Sequence, residues 1–354
     1  MTNRSALPSD THRITLGLDT FGDVTNDSRG RPLSHGQTIR NLVDEGVRAD
    51  EVGLDHFAIG EHHTDRMPLS AADVVLAAIA ARTSRIRLGS GVTVISSDDP
   101  VRVYQRYATL DAVSHGRAEV ILGRGSSTES FPLFGYDLGD YDRLFEEKAD
   151  LFARLLEEKP VTWSGSTRPG LDGVSVVPRT ESGPIPTWIG VGGSPESVVR
   201  TARHGFSLML AIIGGPTARF APFSELFRQA LDKFGQPERP VGVHSPGHVA
   251  ETDEQAVREF WPYYESAIRT MARQRGFRAP SFEQFMRDVG PEGSLYVGAP
   301  ATVARKIAAT LRTLGATRFD LKYGMHGMPH ASLMTNIELF GTQVAPLVRD
   351  MTAT

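Results

Sequence analysis

Apolar positions along the chain switch repeatedly between two periods. Ile14–Thr20 (ITLGLDT) is a short strand-like run. It gives way to Gln37–Val52, where Ile39, Leu42, Val43, Val47 and Val52 recur at the spacing of one helical face. The alternation continues to the end of the chain. Strand-like runs fall at Asp55–Gly60, Ile86–Ile95, Ala118–Gly123, Ile185–Val191, Ser207–Ile213, Val241–Ala250 and Phe319–Tyr323. Helical stretches fall between and after them, at Ala71–Arg82, Val101–Val113, Leu144–Leu156, Pro195–Arg203, Arg219–Phe234, Ala301–Leu314 and Leu333–Val348. The punctuation agrees: Ser194-Pro195 suits a helix N-cap and first turn, Thr252 with Gln255 forms a capping-box pattern, and Gly315 is a C-terminal stop.

Eight strand segments alternating with helices predict parallel crossover units, and eight strands are the number that closes a barrel. An open doubly wound sheet would show a glycine fingerprint after its first strand, but here that strand leads into TFGDVTND. The expected fold is an α/β (β/α)8 TIM-type barrel forming one domain over residues 14–350, preceded by a disordered lead-in at 1–13. Trp163–Gly183 and Thr252–Leu295 exceed ordinary connections. The second reads as an insertion, about 252–295, before the last strand, and barrel insertions gather around the active-site mouth.

Composition narrows the chemistry. A chain of 354 residues buries about three quarters of its unfolded surface, so no staple is needed. With no Cys, thiol nucleophiles, disulfides, iron–sulfur clusters and Cys-ligated zinc are excluded. Lys+Arg 38 against Asp+Glu 42 gives no basic footprint for nucleic acid or an anionic membrane. No apolar run approaches the ~20 residues of a membrane helix. The polar N-terminus lacks a signal core, so the expected location is cytoplasmic.

Barrel chemistry sits at the strands' C-terminal ends. The second strand ends in GEHHTD, with Glu61, His62 and His63. Neighbours on an extended chain point to opposite sides, so the two imidazoles are a poor metal pair. One of them can face the mouth as a proton carrier at neutral pH; loop polarity is the plain alternative. The fourth strand ends in LGRGSSTES, where Arg124, Gly125, Ser126 and Ser127 offer a guanidinium fork, close backbone approach and hydroxyl donors. The fifth ends in GVGGSPES, where Gly192, Gly193 and Ser194 lead into a helix N-terminus, a ready anion site or simply a cap. Arg124 and Ser194 come from adjacent strand ends and could hold one phosphate. Gly89 and Gly91 inside the third strand imply close approach, by a flat ring or by packing alone. His326 and His330 after the last strand read as surface-loop residues; the alternative, a metal set of the two His with an Asp or Glu, is left open by spacing alone, but no HxxxH-type helix pair occurs and no metal site is expected.

These segments carry a resemblance. GLDHFAIGEHHT, RIRLGSGVTVISSDDPVRV, YATLDAVSHGRAEVILGRGSSTESFPLFGYD, the GGSPES turn, YVGAPATVARKI and FGTQVAPLVRD follow, in order, the pattern of the bacterial luciferase-like flavin-dependent monooxygenases. The resemblance implies a TIM-type barrel that binds reduced FMN at its mouth, with a separate flavin reductase as partner and a homodimeric assembly. It implies a phosphate site at Arg124, Gly125, Ser126, Gly192, Gly193 and Ser194, with Ser197 one helical turn along and Arg143 following the FG-D segment. It implies that His62 faces the flavin beside Glu61, and that a non-prolyl cis peptide lies near Gly91–Val92. The implied reaction is two-component monooxygenation of a small organic substrate, with dioxygen chemistry kept dry by the protein. Thr252–Leu295 and Phe131–Tyr141 would supply the pocket and lid, with Phe131, Phe134 and Tyr136 as walls. A deazaflavin-dependent dehydrogenase or reductase, and a non-catalytic flavin-binding protein, are the alternatives.

Overall fold

The computed structural model describes residues 13–125, 127–276 and 278–353, so the expected lead-in up to residue 12 and the candidate Ser126 lie outside the described residues. The first half runs β1 (Thr15–Thr20), α1 (His35–Glu51), β2 (His56–Ile59), α2 (Ala72–Ala80), β3 (Arg87–Ser90), β4 (Thr93–Val94), α3 (Pro100–Ser114) and β5 (Val120–Gly123). It ends with α4 (Ser130–Phe134), α5 (Tyr141–Leu155), β6 (Val161–Trp163) and β7 (Leu171–Val174). The second half runs β8 (Thr187–Val191), α6 (Pro195–Arg203), β9 (Ser207–Ala211), α7 (Ala221–Phe234), β10 (Val241–Val249), α8 (Asp253–Arg275), α9 (Phe282–Val289) and β11 (Tyr296–Gly298). The chain closes with α10 (Pro300–Leu314), β12 (Arg318–Lys322), α11 (His330–Leu339) and α12 (Ala345–Thr352).

The main sheet is parallel and runs β3-β2-β1-β12-β10-β9-β8-β5-β4. β3 and β4 are two pieces of one strand line, interrupted at Gly91-Val92. The Leu88–Ala118 bridge and the β4–β5 pairing bring that line against β5 and close the ring. Eight strand lines thus enclose the interior, which is the expected (β/α)8 TIM-type barrel. The helices pack outside, each laying an apolar stripe on the strands.

The interior is not uniformly apolar. Arg318 and Asp320 on β12, Glu119 just before β5 and His56 on β2 form a buried ionic layer. Arg318 Nη2 donates to Asp320 Oδ2 at 2.6 Å and lies 2.7 Å from Glu119 Oε1, while His56 Nδ1 lies 3.4 Å from Glu119. The guanidinium, 1% exposed, also stands 4.8 Å over the Trp188 ring. Burial opposes the Glu119 charge, but Arg318 and His56 outweigh it and hold its pKa well below the usual carboxylate range. For Asp320 burial dominates and the pKa is raised. Space for these carboxylates comes from missing side chains. A Cβ on Gly17 would lie 2.6 Å from Asp320 Oδ1, and one on Gly89 would lie 2.7 Å from Glu119 Cγ. Gly89 therefore serves internal packing, not a ligand.

Several local expectations change. The expected single strand Ile86–Ile95 is two short pieces. Trp163–Gly183 contains an antiparallel hairpin, β6 with β7. The insertion before the last strand is two helices, α8 and α9. They are joined by aromatic packing in which Trp261 and Phe285 centroids lie 4.8 Å apart. β11 was not expected and extends the pairing of β10. The expected final helix is divided by a π-helical turn at Phe340–Val344, where a Cβ on Gly341 would lie 2.2 Å from Val52 Cγ2. Among the described residues no helix is long and apolar enough to cross a membrane, and no group of three or more His, Cys, Asp or Glu could hold a metal ion.

Replacing Arg318 with Met strips two buried carboxylates of their shared partner, and should cost about 3–5 kcal/mol of stability in urea at neutral pH. In the wild type the depressed Glu119 pKa contributes stability that is present above the ordinary carboxylate range and lost as pH falls through the folded-state value. In the variant the orphaned carboxyls take up protons instead. The penalty should therefore shrink on going from pH 7 to about pH 4.

Candidate active site

The C-terminal end of β2 runs directly into Gly60, Glu61, His62 and His63. The Glu61 N–H donates to Val92 O at 3.1 Å, and its carboxylate accepts the Val94 N–H at 3.0 Å. Glu61 thereby spans the interruption between β3 and β4. Its other oxygen lies 2.9 Å from His63 Nε2. Burial pushes the Glu61 carboxyl up, although His63 and the Val94 N–H pull against it. The His63 ring meets Phe134 edge-on at 5.1 Å. Together with Asp73, Asp98, Arg106 and Tyr136, these residues line a polar pocket of about 300 Å³ beside the interrupted strand.

His62 turns the other way. Its Nδ1 lies 2.7 Å from Glu129 Oε1, and its ring packs edge-on against Phe21 at 5.2 Å. A Nδ1–H donated to the carboxylate leaves Nε2 as the free ring nitrogen. Burial works against the Glu129 charge, but the bond from His62 outweighs it and lowers the carboxyl pKa. Glu129 was not singled out in the sequence. It lies five residues beyond Arg124 in a loop, and only the fold brings it to His62.

The mouth is floored by Val92. The Gly91-Val92 peptide is cis, and the Val92 side chain packs against Ile121, Trp188 and Met209. A Cβ on Gly123 would lie 2.4 Å from Val92 Cγ2, and one on Gly190 3.1 Å from Cγ1. These bare strand positions leave room for Val92. A Cβ on Gly91 would in turn meet Asp19 Oδ2 at 2.9 Å. Asp19 holds His244 Nδ1 at 2.6 Å, and the His244 ring stacks on Phe21 at 5.9 Å. Lys322 donates to Asp23 at 2.6 Å and stands 5.0 Å over the same Phe21 ring. Sequence reading missed Asp19, Phe21 and His244, because nothing in TLGLDTF or VGVHSPG marks them as facing one another.

The other side of the mouth is built for an anion. Ser194 caps α6: its Oγ accepts the Ser197 N–H at 3.3 Å and donates to Glu196 Oε2 at 2.7 Å. Ser197 itself is buried in the first turn. A Cβ at Gly192 or Gly193 would meet nothing within 4 Å, and Gly193 has φ +125°, a conformation that favours glycine. The turn therefore presents open space ahead of helix N–H groups. Arg124 pairs with Asp142 at 2.7 Å and lies 5.1 Å from the Tyr141 ring centroid, while Tyr141 Oη donates to Gly125 O at 2.8 Å. The Glu196 carboxyl is pulled down by Ser194, with Arg124 contributing. Arg143 donates to Asp140 at 2.7 Å and lines an open groove of about 730 Å³ with Asp142, Glu196, Arg200 and Arg203. His330 is tied to Glu45 at 2.8 Å, beside the Tyr323 hydroxyl on the same carboxylate. His326 is half-buried in the loop between them.

Comparisons with known proteins place the chain in a family and a fold. The sequence profile of the luciferase-like monooxygenase family matches residues 20–318. Limonene 1,2-monooxygenase of Rhodococcus erythropolis is 27% identical over 308 residues, covering 84% of this chain and 78% of that protein. The oxygenating constituent of 3,6-diketocamphane monooxygenase from Pseudomonas putida, solved in complex with FMN, superposes with a TM-score of 0.77 at 17% identity, covering 95% of this chain and 98% of the other. Coenzyme F420-dependent tetrahydromethanopterin reductase from Methanopyrus kandleri gives a TM-score of 0.72 at 18% identity, covering 94% and 99%. Both structures show likeness of fold.

If Val92 depends on the bare positions around it, Gly123→Ala should destabilise the protein by about 1–3 kcal/mol through overpacking. Thermal unfolding of that variant beside Gly135→Ala would check the claim. A Cβ at Gly135 meets nothing within 4 Å, although its φ of +75° adds a backbone cost there. Equal losses in the two variants would contradict the role given to Val92.

Proposed function

This chain belongs to the luciferase-like monooxygenase family, and we propose that it is an FMN-dependent oxidoreductase of the two-component monooxygenase type. On this reading a separate flavin reductase delivers reduced FMN, and dioxygen is used on a small organic substrate. The observation that carries the reading is a convergence on one face of the barrel. An anion cradle at the ends of β5 and β8 and an imidazole–carboxylate pair at the end of β2 flank a floor made by Val92. An anion site and a proton-carrying group on the same face suit a flat ring joined to a phosphate.

The residues fit such a group. Arg124, Gly192, Gly193 and Ser194 would hold the phosphate, with the buried Ser197 supporting the turn and Arg143 at its outer rim. Gly91 and Val92 would lie under the ring, and Glu61 would fix their backbone. Bound reduced FMN would supply the electrons and the oxygen reactivity. The chain's own work is then limited. His62 holds or moves a proton at Nε2, and Glu129 keeps its ring in place. Phe21 and Val92 help to exclude water. Arg124 must exchange Asp142 for the phosphate, which weakens the clamp and suits a flavin that arrives and leaves. A homodimer in the cytoplasm goes with the same resemblance.

A deazaflavin-dependent hydride transfer is the second reading. The outer groove favours it, since Arg143, Arg200 and Arg203 could meet an anionic tail. Each of them already pairs with a carboxylate: Arg143 with Asp140, and Arg200 and Arg203 with Glu146. FMN is therefore the first choice.

Anaerobic titration with reduced FMN and with reduced F420 separates the two readings. We expect FMN to bind, and tight F420 binding without FMN binding would sink the FMN assignment. Arg124→Ala should weaken FMN binding by about 1.5–3 kcal/mol, the range for a charge-assisted contact; unchanged affinity contradicts the phosphate assignment. His62→Ala should leave flavin affinity nearly intact and lower turnover about 10²–10⁴-fold. Glu129→Gln should give a smaller loss of turnover at the same affinity. Parallel loss of binding and turnover in both would mark a structural role instead.

A further inference from the structure

The mouth holds a second imidazole that the proton chemistry assigned to His62 does not use. His244 lies on β10, in register with Asp320 of β12 and Ala211 of β9. It is 8% exposed, and its Nδ1 donates to Asp19 Oδ2. Among the described residues Nε2 has no hydrogen-bond partner. Asp19 is 3% exposed, and its second oxygen, Oδ1, is buried without a partner. A carboxylate kept half-satisfied at this depth is costly. It is retained where it fixes the charge and orientation of the group it does bind.

The charges facing His244 are few. Asp19 comes from β1, and Asp320 and Lys322 come from β12; Ala211 on β9 and the stacked Phe21 are uncharged. Burial disfavours the imidazolium, but Asp19, with help from Asp320, outweighs burial and Lys322 together, and the pKa is raised. Asp19 thus favours the imidazolium, the form in which Nε2 also carries a hydrogen and is a donor. His62 and His244 lie on either side of Phe21, which touches both rings. Their settings differ. His62 stands on the loop after β2 with its side chain 13% exposed, and the His244 side chain is 11% exposed. His244 sits inside the barrel wall, a setting for a held charge.

We propose that His244, positioned by Asp19, is the donor that holds the negative charge of the reduced flavin ring, so that this pair sets the preference of the site for reduced over oxidised FMN. Reduced flavin loses its N1 proton near neutral pH, whereas the oxidised ring is neutral, so a fixed donor discriminates between them. The proposal rests on the FMN reading above. His244 acts on charge and Asp19 acts through His244; neither is asked to transfer a proton.

The test is the affinity of the full chain for oxidised FMN and, under anaerobic conditions, for reduced FMN. His244→Leu removes the donor, and Asp19→Asn removes the carboxylate charge while keeping its shape. We expect both variants to bind reduced FMN at least tenfold more weakly, with oxidised FMN changed by less than about twofold. The midpoint potential of the bound flavin should fall by about 30 mV for each tenfold, the value for a two-electron couple. A loss confined to the reduced state in Asp19→Asn supports the proposal even where His244→Leu fails to fold. Equal loss of both redox states, or an unchanged ratio, overturns it while leaving the FMN reading in place. A wild-type protein that binds FMN in neither state overturns the FMN reading and this proposal together.

Discussion

One guanidinium shared between two carboxylates organises the barrel. Arg318 lies between Glu119 and Asp320, with His56 completing the layer, and all four side chains are buried. Charged groups at this depth are tolerated only when paired, and the pairing here joins β12 to the segments before β5 and at β2. Three separated strand lines are therefore tied across the interior as well as around the wall. Gly17 and Gly89 follow from this layer, since side chains there would occupy the carboxylates' space.

The mouth is built on that floor by a second set of exchanges. Val92 fills the centre, and the strands around it carry glycine at 123 and 190 to admit it. Glu61 bridges the interrupted strand from the neighbouring line, through its own N–H and its carboxylate. That leaves His62 and His63 on opposite sides, one against Phe21 and the other against Phe134. The polar groups at the mouth thus have separate supports: Glu129 for His62, Asp19 for His244 and Asp23 for Lys322. Asp19 comes from the end of β1 and Asp23 from just beyond it, and Glu129 comes from the loop after β5. Such distributed bracing holds side chains in place before any ligand arrives.

Much of this was legible as pattern. The alternation of strand and helix periods, the count of eight and the caps at Ser194 and Thr252 are local properties, and the barrel followed from them. GEHH, GRGS and GGSPES were legible as candidates because barrel chemistry gathers at strand ends. The interruption of the third strand was not legible as a break, since IRLGSGVTVI reads as one apolar run. The hairpin in Trp163–Gly183 was also hidden, because its strands are short and mostly exposed on one piece.

The sequence alone determined the architecture and the kinds of chemistry available: no thiol, a guanidinium and a glycine turn on neighbouring strands, and a histidine at a strand end. These depend on period, residue type and chain order, which survive without coordinates. Only the tertiary structure decided which groups meet. Glu129 reaches His62 across 67 positions and Asp19 reaches His244 across 225. Contacts between residues that far apart depend on strand register and barrel closure, and no local pattern encodes them. The same closure decides that Gly89 makes room for Glu119, and that Arg124 stands on Asp142 at the edge of the anion cradle.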